Sequence, residues 1–334
     1  LKREKYLTKK EITVNKKINM SEIKKGLNLP AIKKGGELTK PTKKEISSFD
    51  LNKKSAVSSI IKSETSSVQK DILKEESGLD LVLVGDLTTS MVEYHKLLKN
   101  KFKVLCKELF AMIPNMRIGI IFYLDHDSHL PYVTRVCKLS KDIEHLYNFI
   151  ESTPVSLEGN DTFDEAVEDA FNDIVNLNWR EVGSRSIVLF GDAQPHEPEE
   201  NKHHYNYFEL TKRMFQNKIV VNSVYCGNEG YSDEQLQRLT NVDVGNFSER
   251  VSRLGHPNFF SWVANVTGGM VLGVQNIEDL VDIIKASAAK DSGHLDELEK
   301  NMKATSPNKL KLIEVARRAE QRKKLGGDEK KMLK

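Results

Sequence analysis

Residues Leu79–Met91 read LDLVLVGDLTTSM. The apolar run at the start of this stretch is typical of a strand buried on both faces of a parallel sheet. The run stops at Gly85, and oxygen-bearing side chains then follow at alternate positions, at Asp86, Thr88 and Ser90. Oxygen ligands with little charge suit hard cations such as Mg²⁺, whereas zinc sites favour thiolate and imidazole. The stretch therefore predicts a buried strand that ends at a site for a hard cation.

Downstream of this stretch, apolar runs alternate with segments of helical periodicity. The predicted strands are Leu79–Val84, Arg117–Tyr123, Ser186–Phe190, Ile219–Tyr225 and Gly269–Gly273, with a weaker edge strand at Tyr132–Leu139. The predicted helices cover residues 91–112, 142–149, 163–174, 208–216, 233–239, 259–266 and 277–289. This alternation predicts an α/β fold, namely a doubly wound, mostly parallel sheet with helices on both faces.

Charge is distributed unevenly along the 334 residues. Lys and Arg outnumber Asp and Glu by 19 to 10 in residues 1–77, are outnumbered 20 to 30 in residues 78–290, and lead again by 12 to 8 in residues 291–334. The basic arm, 1–77, has too few apolar residues to offset the entropy of ordering, so it is predicted to be largely disordered. Residues 78–290 are predicted to form the folded domain, and 291–334 a charged tail with a helix at Lys309–Leu325.

The cysteines and the apolar segments bear on the compartment. Cys106, Cys137 and Cys226 show no metal-binding or redox spacing, which favours reduced core residues in a cytoplasmic protein. No stretch approaches the roughly 20 apolar residues of a membrane helix, and no apolar segment of a signal peptide follows the basic N-terminus. Membrane insertion and secretion are therefore not expected. Met20 opens a plausible second start, and the sequence leaves open whether residues 1–19 are an upstream extension.

Two further loops place oxygen-bearing side chains at the predicted carboxyl edge of the sheet. Residues 159–162 read Gly-Asn-Asp-Thr before a helix predicted to start at Phe163. Residues 191–195 read Gly-Asp-Ala-Gln-Pro after the strand Ser186–Phe190. In open doubly wound sheets, ligands bind beyond the carboxyl ends of the strands, near the point where the strand order reverses. Three oxygen-rich strand ends at one edge therefore predict a common site.

With these three loops, the chain resembles the von Willebrand factor A (VWA) family. The metal-ion-dependent adhesion site (MIDAS) of that family combines an Asp-x-Ser/Thr-x-Ser loop with a Thr and an Asp from two other loops. The resemblance covers roughly Leu79 to Ala289. It implies a bound Mg²⁺, or Mn²⁺ or Ca²⁺ in its place, and an Asp or Glu carboxylate of a protein partner that completes the ion's coordination. The implied ligands are Asp86, Thr88, Ser90, Thr162 and Asp192, with Asp161 as the alternative from the second loop.

Within the family, the chain is most similar to the VWA domains found beside alpha-kinases and in related stand-alone bacterial proteins. The segments that carry this similarity are Tyr123–Asp127, Trp179–Arg180, Asp192–His196 and Ala264–Gly269. The alpha-kinase motifs have no room in this chain, so kinase activity is not implied. The third loop departs from the family pattern, because it reads Gly-Asp-Ala at 191–193 where many relatives have Thr-Asp-Gly.

Other interpretations of the same residues are weaker. Ser90 and Thr162 each precede a predicted helix and are good N-caps, but capping does not explain Asp86 and Asp192 together. A phosphohydrolase of the Asp-x-Asp type would need a proton-transferring residue where Thr88 stands. The chain also lacks the Gly-x-Ser-x-Gly elbow and both Gly-rich nucleotide motifs. The chain is therefore predicted to be a scaffold or adaptor and not an enzyme. The main alternative is a nucleic-acid-associated protein that binds nucleic acid, or an acidic protein, through its basic arm.

Two polar clusters remain secondary candidates. The first follows the second predicted strand, and we interpret it as a surface turn in preference to a metal or acid–base site; it comprises Asp125, His126, Asp127 and His129. The second lies on or just beyond the third loop, and we interpret it as a solvated rim that contacts the partner, with a transition-metal site as the alternative. It comprises His196, His203, His204, Glu197, Glu199 and Glu200.

Overall fold

The fold was analysed in a computed structural model, which describes residues 78–127, 129–157, 163–227, 232, 235–236, 255–274, 276–306 and 309–324. Its strands are β1 (Leu79–Asp86), β2 (Arg117–Tyr123), β3 (Thr134–Ser140), β4 (Ser184–Gly191), β5 (Ile219–Tyr225) and β6 (Val271–Gly273). Its helices are α1 (Val92–Met112), α2 (Ile143–Ser152), α3 (Val167–Val175), α4 (Tyr207–Gln216), α5 (His256–Thr267), α6 (Asp279–Ser292), α7 (Leu295–Thr305) and α8 (Leu310–Lys324). The predictions for the basic arm, for Asp161 and Thr162, and for most of the 233–239 helix lie outside the described residues.

The six strands form one sheet in the order β3-β2-β1-β4-β5-β6. Strand β3 is antiparallel to β2, and the other neighbouring pairs are parallel. The chain adds β2 and β3 on one side of β1 and then returns to add β4, β5 and β6 on the other side. The order therefore reverses between β1 and β4, which confirms the predicted doubly wound, mostly parallel sheet.

Side chains of β1 pack against helices on both faces of the sheet. Leu79, Leu81 and Leu83 belong to a core cluster that includes residues of α1, α2, α6, α7 and α8. Val82 and Val84 belong to a second cluster, on the face covered by α3, α4 and α5. Every residue of β1 is buried. A strand covered on both faces needs apolar residues at successive positions, which explains why the run is not an alternating one.

The C-terminal helices pack against the domain. Helix α8 corresponds to the helix predicted at Lys309–Leu325, whereas α7 was not predicted. Helix α6 continues past residue 290, where the sequence analysis ended the folded domain. Asp291 of this helix accepts hydrogen bonds from Ser186 Oγ of β4 (2.7 Å) and Asn222 Nδ2 of β5 (2.8 Å). The residues of α8 that join the first core cluster are Ile313, Val315, Ala316 and Ala319.

The three cysteines are buried as free thiols, which confirms their prediction as core residues. Burial raises the pKa of Cys106 to about 12 and that of Cys137 to about 11, so both stay protonated and unreactive near neutral pH. Among the described helices, none combines the length and the apolar character that crossing a membrane requires.

Candidate metal centre

The carboxyl ends of β1 and β4 lie side by side where the strand order reverses. The register pairs Gly85 of β1 with Phe190 of β4, so Asp86 ends one strand beside the loop that begins at Asp192. The two carboxylates are close enough for the charge of Asp192 to raise the pKa of Asp86. The structure therefore brings together the first and third loops that the sequence placed at one edge, at the position where doubly wound sheets bind their ligands.

The first loop is organised around the carboxylate of Asp86. Thr88 donates two hydrogen bonds to Asp86 Oδ1, from its backbone N–H and from its hydroxyl, each 2.7 Å long. The other oxygen, Asp86 Oδ2, is buried and accepts no hydrogen bond from the described residues. Ser90 is exposed, and its hydroxyl lies 3.4 Å from that of Thr88. Two hydroxyls and one unbonded carboxylate oxygen therefore converge at the end of β1.

Helix capping does not account for Ser90. A short 3₁₀ turn, Thr89–Met91, precedes α1, and neither Thr88 at the start of the turn nor Met91 at the start of α1 makes a side-chain cap. Ser90 lies inside the turn, so the alternative interpretation of Ser90 as an N-cap does not fit the structure. Its hydroxyl contacts that of Thr88, and the residue is exposed to solvent.

The segment after the second loop is extended, although a helix was predicted to start at Phe163. Helix α3 begins only at Val167. Glu165 N–H donates to Gln194 O (3.0 Å), and Ala166 N–H donates to Leu124 O (3.1 Å). These bonds to two other loops hold the segment against the sheet edge and prevent the first helical turn. Thr162 is therefore not next to the start of α3, and its own structure lies outside the described residues, as does that of Asp161.

Glu165 is a member of the site that the sequence analysis missed. Its side chain is buried, and it lies close enough to Thr88 and Asp86 for both to affect its pKa. Burial, reinforced by the charges of Asp86, Asp125 and Asp192, raises its pKa to about 11, so it is a neutral carboxylic acid near pH 7. Its local sequence resembles an acidic first helical turn, and only the bonding of this segment to the third loop reveals its position.

The electrostatics of Asp86 show what the site lacks. Burial and the nearby charge of Asp192 raise its pKa to about 8, so that without a cation the carboxyl is largely protonated at pH 7. No described Lys or Arg forms an ion pair with it. A divalent cation at the free Oδ2 would supply the missing positive charge and favour the ionised form. A carboxylate with neighbouring hydroxyls is a hard oxygen donor set, and it fits Mg²⁺.

Tyr123 explains why residue 191 is a glycine, where the sequence analysis noted a departure from the VWA pattern. A Cβ on Gly191 would lie 2.5 Å from the Tyr123 hydroxyl and 3.5 Å from Asp86 Oδ2. The Tyr123 hydroxyl is buried and has no hydrogen-bond partner among the described residues. The Tyr123 side chain therefore fills the space that a larger residue at 191 would need. Its hydroxyl and Asp86 Oδ2 both lie beside this position.

This steric relationship predicts a coupled pair of substitutions. Gly191→Ala should lower the free energy of unfolding by about 1–3 kcal/mol, because the new methyl group overlaps the tyrosine hydroxyl. In a Tyr123→Phe background the same change should cost clearly less, since the overlapping atom is gone. Urea unfolding of the four proteins measures this coupling as a double-mutant cycle. An equal cost in both backgrounds would show that Tyr123 is not the obstacle.

The polar cluster after β2 and the one beyond the third loop contact each other through buried side chains. The interpretations as a surface turn and a solvated rim are therefore wrong for these side chains. Asp125 and His196 are only 1% and 5% exposed, so neither belongs to a surface turn or a solvated rim. Asp125 Oδ1 lies 2.6 Å from His196 Nε2 and also accepts the His126 backbone N–H at 2.6 Å. Burial alone would lower the pKa of His196, but the hydrogen bond to Asp125 and its charge raise it. Six other members of the two clusters are exposed, as predicted: Asp127, His129, Glu199, Glu200, His203 and His204.

No family model matches the chain, and no curated protein matches it. Among solved structures, it is structurally similar to the SpRpn10 VWA domain, with 15% identity, coverage of 61% of this chain and 94% of that chain, and a TM-score of 0.40. It is also similar to an aerotolerance-related membrane protein from Bacteroides fragilis (20% identity, 64% and 100% coverage, TM-score 0.41) and to BatB from Bacteroides thetaiotaomicron (18%, 64% and 98%, 0.40). All three structures share 20% sequence identity or less with this chain.

Proposed function

We propose that this chain is a VWA-type, Mg²⁺-dependent protein-binding module whose MIDAS is completed by a carboxylate of the partner. The observation that carries the proposal is Asp86, a buried carboxylate at the strand-order reversal. Among the described residues, its Oδ2 has no hydrogen-bond partner and no Lys or Arg forms an ion pair with it. Burying such a group is costly unless a cation compensates for it. The proposal also makes the chain a cytoplasmic scaffold or adaptor without catalytic activity, of the type found beside alpha-kinases.

In this proposal, Asp86, Thr88, Ser90 and Asp192 hold the ion, together with Thr162 or, in its place, Asp161. Mg²⁺ is the expected ion, with Mn²⁺ or Ca²⁺ as substitutes, and it supplies residual positive charge for an acidic ligand. The Thr88 hydroxyl donates a hydrogen bond to Asp86 Oδ1, so the lone pairs of the Thr88 hydroxyl oxygen stay available for the ion. The hydroxyl ligands add no negative charge of their own, so a partner carboxylate is favoured at the ion's remaining position.

Two exposed apolar side chains favour a protein as the ligand. Leu157 is 75% exposed and Phe163 is 88% exposed, next to either end of the second loop. The preceding Ser156 donates its N–H to Leu87 O (3.1 Å), and Gln194 Nε2 donates to Asp164 (3.1 Å). These bonds place both apolar residues beside the loops of the metal site. Large exposed apolar groups next to a polar centre are typical of binding surfaces.

The test is an affinity capture with the full chain as bait, compared in Mg²⁺ and in EDTA. Partners bound through the ion should be retained in Mg²⁺, released by EDTA and absent with Asp86→Ala bait. Phe163→Ala should weaken their binding about tenfold while Mg²⁺ binding is unchanged, because it removes an apolar contact outside the ion's coordination. Val104→Ala is the matched control, since Val104 is also exposed (58%) but lies on α1. Recovery of the same partners in EDTA and with Asp86→Ala bait would contradict the proposal.

A further inference from the structure

We propose that His126, Asp169 and His203 bind a transition-metal ion of the Zn²⁺ class at a second site. His126 lies in the loop after β2, Asp169 in the first turn of α3, and His203 in the segment between β4 and α4. One ring nitrogen of each histidine and one carboxylate oxygen of Asp169 all lie within 4.8 Å of one another. The inference rests on this juxtaposition and does not depend on the proposed Mg²⁺ site.

Asp169 is placed between the two imidazoles. Its Oδ1 lies 2.6 Å from His203 Nδ1, and its Oδ2 lies 3.5 Å from His126 Nε2. Ligands of a tetrahedral Zn²⁺ stand about 2.0–2.2 Å from the ion, and hence roughly 3.3–3.5 Å from one another. The three groups therefore need only small side-chain rotations to surround an ion, which would replace the protons now shared between them.

The carboxylates of this cluster form no ion pair with a Lys or Arg among the described residues. Asp169 is 7% exposed, and its Oδ2 accepts no hydrogen bond from the described residues. Glu168 Oε1 is buried and lies 2.7 Å from His126 Nε2, so a second carboxylate stands beside that imidazole. Within the described part of the chain, histidines are the only basic groups paired with either carboxylate.

The ligand types separate this site from the one at Asp86. Two imidazoles with carboxylates suit Zn²⁺ and its neighbours in the transition series, whereas hydroxyls and carboxylate without nitrogen suit Mg²⁺. The His196 ring is centred 5.2 Å from that of His126 and pairs with Asp125, so it is already engaged beside this cluster. The His203 side chain is 46% exposed, which gives an ion direct access from solvent and leaves room for a bound water.

The experiment titrates the metal-stripped full chain with Zn²⁺ by calorimetry, and with Co²⁺ by visible absorption, which reports the coordination geometry of the bound ion. Wild type should bind one Zn²⁺ and develop Co²⁺ ligand-field bands. His203→Asn and the isosteric Asp169→Asn should each weaken Zn²⁺ binding by at least about tenfold and remove these bands. The matched control is His204→Asn, because His204 is exposed, its ring nitrogen Nδ1 pairs with the Pro198 carbonyl, and its φ is positive, which Asn tolerates.

Three results would overturn the inference. One is an absence of Zn²⁺ binding by wild type, and another is an equal loss of affinity in His203→Asn and His204→Asn. The third is a loss of Zn²⁺ binding in Asp86→Ala with circular dichroism unchanged, since the ion would then belong to the other centre. Retention of Zn²⁺ by Asp86→Ala keeps the two proposals separate, so that either can fail without the other.

Discussion

Asp86→Asn is expected to weaken Mg²⁺ binding by more than about 100-fold, because it removes the one buried anionic ligand of the proposed site. The amide keeps the shape of the carboxyl and can still accept both hydrogen bonds from Thr88, so the loop should keep its conformation. Calorimetric titration with Mg²⁺ measures the loss. The control is Asp127→Asn, which removes an exposed carboxylate in the loop after β2. Mg²⁺ binding that is unchanged in Asp86→Asn would contradict the assignment.

The same substitution has an unusual expected effect on stability. In the metal-free chain the pKa of Asp86 is raised from 3.8 to about 8, so the folded protein holds a proton that the unfolded chain releases. The stability of wild type in EDTA should therefore fall as pH rises from about 4 to 8. Asp86→Asn lacks this titration. Its free energy of unfolding, relative to that of metal-free wild type, should therefore increase toward pH 8. Thermal unfolding in EDTA at several pH values measures the difference, and a variant that is less stable at every pH would contradict the raised pKa.

The accuracy of the sequence analysis depended on the range of the interaction concerned. The strands and the meeting of Asp86 with Asp192 were predictable, because an apolar run marks a buried strand and parallel strands end at one edge. Glu165 and the Asp125–His196 pair were not. Glu165 takes its position from a hydrogen bond to Gln194, and Asp125 meets a histidine 71 residues later. Neither contact leaves a periodic pattern in the local sequence.

The helix starts show the same limit. Ser90 has good N-cap chemistry, yet it lies inside a 3₁₀ turn. The segment before α3 has helical composition, yet Glu165 and Ala166 use their backbone N–H groups to bond with other loops. Tertiary hydrogen bonds decide both cases, and they outweigh propensities worth about 1 kcal/mol or less per residue. Both departures occur at the edge of the sheet that carries the candidate metal centre, where local rules are most often overridden by a binding site.

Asp80 lies at the amino end of β1, opposite to Asp86. Its pKa is lowered, whereas that of Asp86 is raised. Its carboxylate is fully buried and accepts four hydrogen bonds. Arg117 donates from Nε (2.8 Å) and Nη2 (2.6 Å), and Arg180 donates from its backbone N (2.9 Å) and Nε (2.8 Å). Burial alone would raise the pKa of Asp80, but these hydrogen bonds lower it below its ordinary value. The ionised form therefore ties β1 to β2 and to the segment before β4.

Asp80→Asn should lower the free energy of unfolding by about 3 kcal/mol, because the amide cannot neutralise the two guanidinium groups and offers one acceptor oxygen where the carboxylate has two. Arg117 keeps 27% side-chain exposure, so water compensates part of the loss and the effect falls at the lower end of the range for buried pairs. Urea unfolding at pH 7 measures it. The contribution of the carboxylate is present above its unfolded pKa near 3.8 and is lost below it, so wild type and variant should converge in acid. Since the substitution lies at the amino end of β1, Mg²⁺ binding should survive it. A loss below about 1 kcal/mol, or a loss of Mg²⁺ affinity in the folded variant, would refute this separation between a carboxylate that holds the sheet and one that holds the ion.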